Sequence, residues 1–68
     1  MNADEPQPYR SYRGWYCYVN YTNTGFYWLI KDPTGMEIET SPRTYPLHLR
    51  AMEQGLKRMK ELANDIIY

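Results

Sequence analysis

The chain of 68 residues has eight basic and eight acidic side chains, so its formal net charge is zero. A chain this short forms one domain with one small core, and a neutral chain has no overall field that would attract nucleic acid or an anionic membrane. Its single cysteine, Cys17, excludes an internal disulfide and argues against a secreted, disulfide-rich scaffold. We therefore expect a cytoplasmic protein.

The beginning of the chain predicts neither a membrane segment nor a signal peptide. No apolar run approaches the roughly 20 residues that cross a bilayer, and residues 1–10 contain prolines and an acidic pair in place of a basic and an apolar region. We expect residues 1–10 to form a flexible N-terminal arm, residues 11–68 to form the single domain, and no membrane to be a partner.

Three segments rich in β-forming residues follow the arm. They predict strands at about residues 15–21, 26–31 and 36–41. Residues 22–25 predict a four-residue turn, and the sequence Asp-Pro-Thr-Gly at residues 32–35 suits a type I turn that is closed by a glycine. Short turns between successive strands predict an antiparallel meander.

An amphipathic helix is predicted at about residues 47–65, with Thr44 as its N-cap. Apolar side chains recur in it at spacings of three and four and form one stripe, which consists of Leu49, Met52, Leu56, Met59, Ala63 and Ile66. Gly55 inside the helix indicates a close approach to a strand. The predicted fold is α+β, with three antiparallel strands and one C-terminal helix packed on one face.

Side chains of a strand alternate between two faces, so the pairing of strands decides which residues are buried. The turn lengths predict that Val19 faces Trp28 and that Ile30 faces Ile38. The core face beneath the helix is then Trp15, Cys17, Val19, Phe26, Trp28, Ile30, Met36 and Ile38. The open face is Tyr16, Tyr18, Asn20, Tyr27, Leu29, Lys31, Glu37, Glu39 and Ser41.

Residue types that carry catalysis are few and scattered. His48 has neither a second histidine nor a paired carboxylate on its helix face, and one histidine with one cysteine cannot hold zinc alone. Cys17 is expected in the core, and the carboxylates of Glu37 and Glu39 serve solubility on an exposed strand. We expect no enzymatic activity, no metal site and no cofactor.

Basic residues of the helix leave a nucleic-acid-binding function open as an alternative. They are Arg50, Lys57, Arg58 and Lys60. Glu53, Glu61 and Asp65 share the helix and interrupt a continuous basic stripe. The tyrosine-rich open face could stack single-stranded bases, but Glu37 and Glu39 would repel phosphates there. Nucleic acid is therefore not the expected partner.

A set of positions between Gly25 and Lys60 shows a family resemblance. It consists of the run 27–31 with sequence Tyr-Trp-Leu-Ile-Lys, Gly35, Ile38, Thr40, Ser41, Tyr45, Ala51, Gly55 and Leu56. In these positions the chain resembles the small YegP-like bacterial domains. That resemblance implies a fold of three strands followed by a helix, and it implies no activity.

The aromatic content, 16% of residues with eight tyrosines, is more than a core of this size can bury. Tyrosine is a residue that binding surfaces favour. We expect a non-enzymatic protein-binding module that acts through Tyr16, Tyr18, Tyr27, Leu29, Lys31, Glu37 and Glu39. The partner would be a second copy in a homodimer or a host protein, as for a small phage accessory protein that inhibits a host defence protein.

Overall fold

The computed structural model describes residues 9–65 and contains a four-stranded antiparallel sheet with one helix on one face. The strands are β1 (Tyr9–Tyr12), β2 (Trp15–Thr22), β3 (Gly25–Lys31) and β4 (Glu37–Thr40), and the helix is α1 (His48–Asp65). Neighbours in the chain are neighbours in the sheet, in the order β1-β2-β3-β4. This confirms the predicted α+β class, but the predicted number of three strands is wrong.

The strand that the prediction missed is β1, which pairs with β2 through a two-residue turn at Arg13 and Gly14. Both turn residues have positive φ, 54° and 85°, as a type I′ hairpin turn requires. Asparagine, aspartate or glycine usually occupies the first of these positions, so an arginine there hid the hairpin. Tyr9 and Arg10 of the predicted arm lie in β1, whereas its residues 1–8 lie outside the described residues.

The pairing of β2 with β3 is confirmed. Val19 lies opposite Trp28 and Cys17 opposite Ile30, and all four side chains are buried. The turn between β3 and β4 also forms as predicted. The backbone N–H of Gly35 donates to the carbonyl of Asp32 at 2.9 Å, and Gly35 has a φ of 91°.

The pairing of β4 differs from the prediction by one residue. Ile30 lies opposite Glu39 and Lys31 opposite Glu37, so Ile38 is an extra residue that forms a β-bulge. A bulge reverses the alternation of side chains on the strand beyond it. Ile38 is consequently 43% exposed, and Glu39 lies on the helix side. Met36, also predicted in the core, is 65% exposed.

The core lies between α1 and the sheet. Its buried side chains are Trp15, Cys17, Val19, Trp28, Ile30, Ala51, Met52, Met59 and Ala63, with Phe26 and Leu56 partly buried against them. Gly55 is buried too, and a Cβ on it would meet the Sγ of Cys17 and lie 2.7 Å from the Cβ of Trp28. The predicted close approach of helix and strand is therefore confirmed.

The helix differs from the prediction at Thr44 and Leu49. Thr44 is not its N-cap, because its hydroxyl donates to the carbonyl of Thr24 at 3.2 Å and the helix begins four residues later. Leu49 is 65% exposed, since the buried stripe runs through the small residues Ala51 and Gly55. Ile66 lies outside the described residues.

We predict that Gly55→Ala destabilises the protein although alanine is the better helix former. Because a Cβ would lie only 2.7 Å from the Cβ of Trp28, overpacking should cost the upper part of the usual range, about 2 to 3 kcal/mol, while only about 1 kcal/mol of helix propensity is regained. Urea unfolding should show a net loss of about 1 to 2 kcal/mol. The neighbouring exposed Gln54→Ala is the control; a Gly55→Ala protein as stable as that control would contradict the close contact.

The bulge predicts unequal effects of two identical truncations. Ile30→Ala should cost about 2 to 5 kcal/mol because Ile30 is fully buried. Ile38→Ala should cost less than about 1 kcal/mol because its side chain already contacts solvent. Equal losses in urea unfolding would show that Ile38 belongs to the core and that β4 has no bulge.

Candidate functional site

The face of the sheet opposite α1 carries a group of aromatic and apolar side chains. We call it the tyrosine face and define it by Tyr9, Tyr16, Tyr18, Tyr27 and Leu29. The pairing places these side chains together, since Tyr9 lies opposite Tyr18, which in turn lies opposite Leu29. The helix packs on the other face, and among the described helix and strands none lies over this one.

Three tyrosines of this face contact one another at the edge formed by β1 and β2. The ring centroids of Tyr9 and Tyr16 are 5.6 Å apart, those of Tyr9 and Tyr18 5.5 Å, and those of Tyr16 and Tyr18 6.3 Å. Tilted and edge-on arrangements at these distances are attractive for aromatic rings. The three rings therefore pack against one another within the chain itself, and Tyr16 remains 37% exposed.

Polar groups border the aromatic cluster. The Nζ of Lys31 lies 5.3 Å from the ring centroid of Tyr18, a cation–π distance. Lys31 also lies opposite Glu37, as predicted, so one cation and one carboxylate sit beside the rings. The amide of Asn20 donates to the hydroxyl of Tyr27 at 3.4 Å. The face thus joins an apolar centre to a neutral, hydrogen-bonding border.

The structure brings together all the predicted protein-binding residues except Glu39. The bulge turns Glu39 to the helix side, where it accepts two hydrogen bonds from Arg58, from Nε at 2.8 Å and from Nη2 at 3.0 Å. Its placement on the open face was therefore wrong. Glu37 is the one carboxylate left beside the tyrosines on the strands that the structure describes.

The basic residues predicted as an alternative site do not form one stripe. Arg58 also donates to Glu61 at 3.2 Å, and both carboxylates raise the pKa of its guanidinium. Arg50 lies 3.7 Å from Glu53 in an exposed ion pair. The Nζ of Lys60 lies 5.6 Å from the ring centroid of Tyr12, away from Arg58. Lys57 borders a pocket between the helix and the sheet.

Residues that could carry covalent or metal chemistry are not arranged for it. Cys17 is fully buried, and this burial raises its pKa to about 11, so the nucleophilic thiolate is scarce at neutral pH. The ring of His48 packs edge-on against Phe26 at 5.7 Å. Within residues 9–65, no three His, Cys, Asp or Glu side chains converge as metal ligands. The helix in this range is not long and apolar enough to cross a membrane.

Sequence reasoning missed Tyr9 on the tyrosine face and a second cluster around Tyr12 on the helix side. The guanidinium of Arg13 lies 5.8 Å from the Tyr12 ring centroid. Asn64 accepts hydrogen bonds from the hydroxyl of Tyr12 at 3.1 Å and from Arg13 at 3.0 Å. Residues 9–12, with the sequence Tyr-Arg-Ser-Tyr, do not alternate with period two, so the β propensity of the two tyrosines was the one signal that could have revealed both clusters.

Comparison with known proteins gives no relative from which a role could be transferred. No family model, no curated protein and no solved structure matches the chain. The geometry of its own surfaces is therefore the basis for a functional hypothesis.

Proposed function

We propose that this chain is a non-enzymatic protein-binding module whose contact surface is the tyrosine face. The observation that supports it most directly is the row Tyr9, Tyr18 and Leu29, which three neighbouring strands place side by side on a face that no helix or strand within residues 9–65 covers. Monomeric proteins keep contiguous exposed apolar areas small. A larger apolar area on the surface marks an interaction site.

The chemistry of the face suits a protein partner. Tyrosine supplies a large contact area with few rotors to freeze, so a pre-packed cluster loses little entropy on binding. Energy in such interfaces concentrates in central aromatic residues surrounded by polar contacts. Lys31 and Glu37 at the border can orient the partner without adding net charge.

The proposed partner is another protein, with a second copy of this chain as the other outcome of the test. The more specific role that we propose is that of a small phage-type accessory protein that covers a functional surface of a host defence protein. Support for this role comes from the short, neutral, tyrosine-rich sequence together with the tyrosine face, over which no described helix or strand lies.

Binding of single-stranded nucleic acid is the second candidate, and two observations favour it. Glu39, expected to repel phosphates on the open face, instead pairs with Arg58 on the other side. Arg13 and Lys60 flank the ring of Tyr12, and neither forms an ion pair with a carboxylate within the described residues. Proteins that bind single-stranded nucleic acid combine cations for the backbone with aromatic rings on which bases stack.

We predict that the double variant Tyr18→Thr, Leu29→Thr stays folded and loses partner binding. Threonine keeps the strand propensity, and both side chains point away from the core. Partner capture from cell lysate, or self-association in analytical ultracentrifugation, should weaken at least about a hundredfold, which corresponds to roughly 2.7 kcal/mol.

The matched control for that variant is Tyr21→Thr, Leu49→Gln. It removes a tyrosine and a leucine that are 70% and 65% exposed but lie outside the tyrosine face. Binding by the control should equal that of the wild type. If the control loses binding and the face variant does not, the contact surface lies near the start of the helix.

For nucleic acid we expect no measurable binding of single-stranded DNA or RNA at physiological salt, where phosphate contacts are screened. Fluorescence anisotropy of labelled oligonucleotides gives the measurement. Micromolar binding that Arg13→Gln, Lys60→Gln weakens and Arg50→Gln leaves unchanged would make the second candidate the correct one.

A further inference from the structure

A pocket of about 310 Å³ lies on the helix side of the sheet, away from the tyrosine face. Trp28 and Glu39 line it from the sheet, Tyr45 from the segment between β4 and α1, and Gln54, Lys57 and Arg58 from the helix. Its volume is at the lower end of the roughly 300 to 1,000 Å³ that small-ligand sites occupy. A pocket of this volume suits a small organic ligand.

The indole of Trp28 has an unused hydrogen-bond donor. Trp28 is 4% exposed, and its Nε1 is a buried atom for which the described residues provide no hydrogen-bond partner. The backbone N–H of the same residue is satisfied, since it donates to Oγ of Ser41 at 3.2 Å. Buried donors without an acceptor are rare in native proteins and call for an explanation.

The carboxylates of the pocket are already engaged, whereas other donors are not. Arg58 donates to both oxygens of Glu39 and to one oxygen of Glu61. The amide of Gln54 and the ammonium of Lys57 make no hydrogen bond or ion pair to the described residues. The unmet hydrogen-bonding capacity here is thus mainly that of donors, and a ligand has to bring acceptors.

The charges near the pocket agree with an anion. Besides Lys57 and Arg58, the guanidinium of Arg43 lies 5.0 Å from the ring centroid of Tyr45. Among the lining residues, Lys57 and Arg58 balance the carboxylates of Glu39 and Glu61, so Arg43 beside the pocket adds one positive charge in excess. Trp28 and Tyr45 supply aromatic walls for an apolar group beside the charge.

We propose that this pocket binds the carboxylate of a small apolar acid, with one carboxylate oxygen accepting the Nε1–H of Trp28 and Lys57 neutralising the charge. Because Nε1 is buried, side chains that line the pocket have to move before a ligand can reach it, and those of Gln54 and Lys57 are exposed. A free carboxylic acid and the C-terminal carboxylate of a peptide share this chemistry. The site shares no residue with the tyrosine face.

The test uses ¹⁵N-labelled protein and the two indole N–H signals in its NMR spectrum, with Trp15 as the internal reference. Titration with N-acetyl-leucine should shift the Trp28 indole signal saturably and leave that of Trp15 in place. N-acetyl-leucinamide, which lacks the charge, should bind at least about tenfold more weakly. Comparison of 4-methylpentanoate with acetyl-Gly-Gly-Leu then tells whether the free acid or the peptide terminus binds more tightly.

A pair of helix variants locates the site. Lys57→Gln should raise the Kd for N-acetyl-leucine at least about fivefold because it removes the partner of the carboxylate. Lys60→Gln, a matched change on the flank that faces Tyr12, should leave the Kd unchanged. The proposal is wrong if the Trp28 signal does not shift at about 10 mM acid, tenfold above a weak Kd of about 1 mM. It is equally wrong if acid and amide bind alike, or if both variants have the same Kd.

Discussion

The contact of Gly55 in the helix with Cys17 of β2 and Trp28 of β3 fixes how closely the helix lies on the sheet. With no side chain at this position, the helix backbone approaches Cys17 and Trp28 so closely that a Cβ would collide with them. The small core forms around this point, with Ala51, Met52 and Met59 beside it. Within residues 9–65 the helix covers one face of the sheet, and no described helix or strand lies over the opposite face.

The bulge at Ile38 decides which charges lie on which side of that sheet. Without it, Glu37 and Glu39 would both border the tyrosines; with it, Glu39 crosses to the helix side and forms a bidentate ion pair with Arg58. This one-residue shift changes the electrostatics of two surfaces together. It removes a negative charge from the tyrosine face, and on the helix side it engages the guanidinium of Arg58 at the pocket.

The fold was predictable where a local pattern agreed with burial. The alternation in β2 and β3, the turn at Asp32 and the glycine in the helix each pointed to the observed arrangement. The prediction missed β1 because an arginine occupies the left-handed position of its turn. It placed β4 in the wrong register because the alternating sequence of residues 36–39 gives no sign of a bulge at Ile38. Four strand residues of the tyrosine face were predictable by period two, whereas Tyr9 depended on recognising β1.

The pocket could not have been predicted from the sequence. Its side chains come from β3, β4, the segment before α1 and α1 itself, and the Trp28 indole N–H lacks a partner only because of what surrounds it in the folded protein. Strand β3 nevertheless connects it with the tyrosine face, since Trp28 and Leu29 are consecutive residues that point to opposite sides of the same strand. A ligand that satisfies the indole N–H stabilises the native state by mass action. Because both surfaces depend on the same folded strand, a ligand in the pocket would raise the stability of the fold that presents the tyrosine face, without contacting that face.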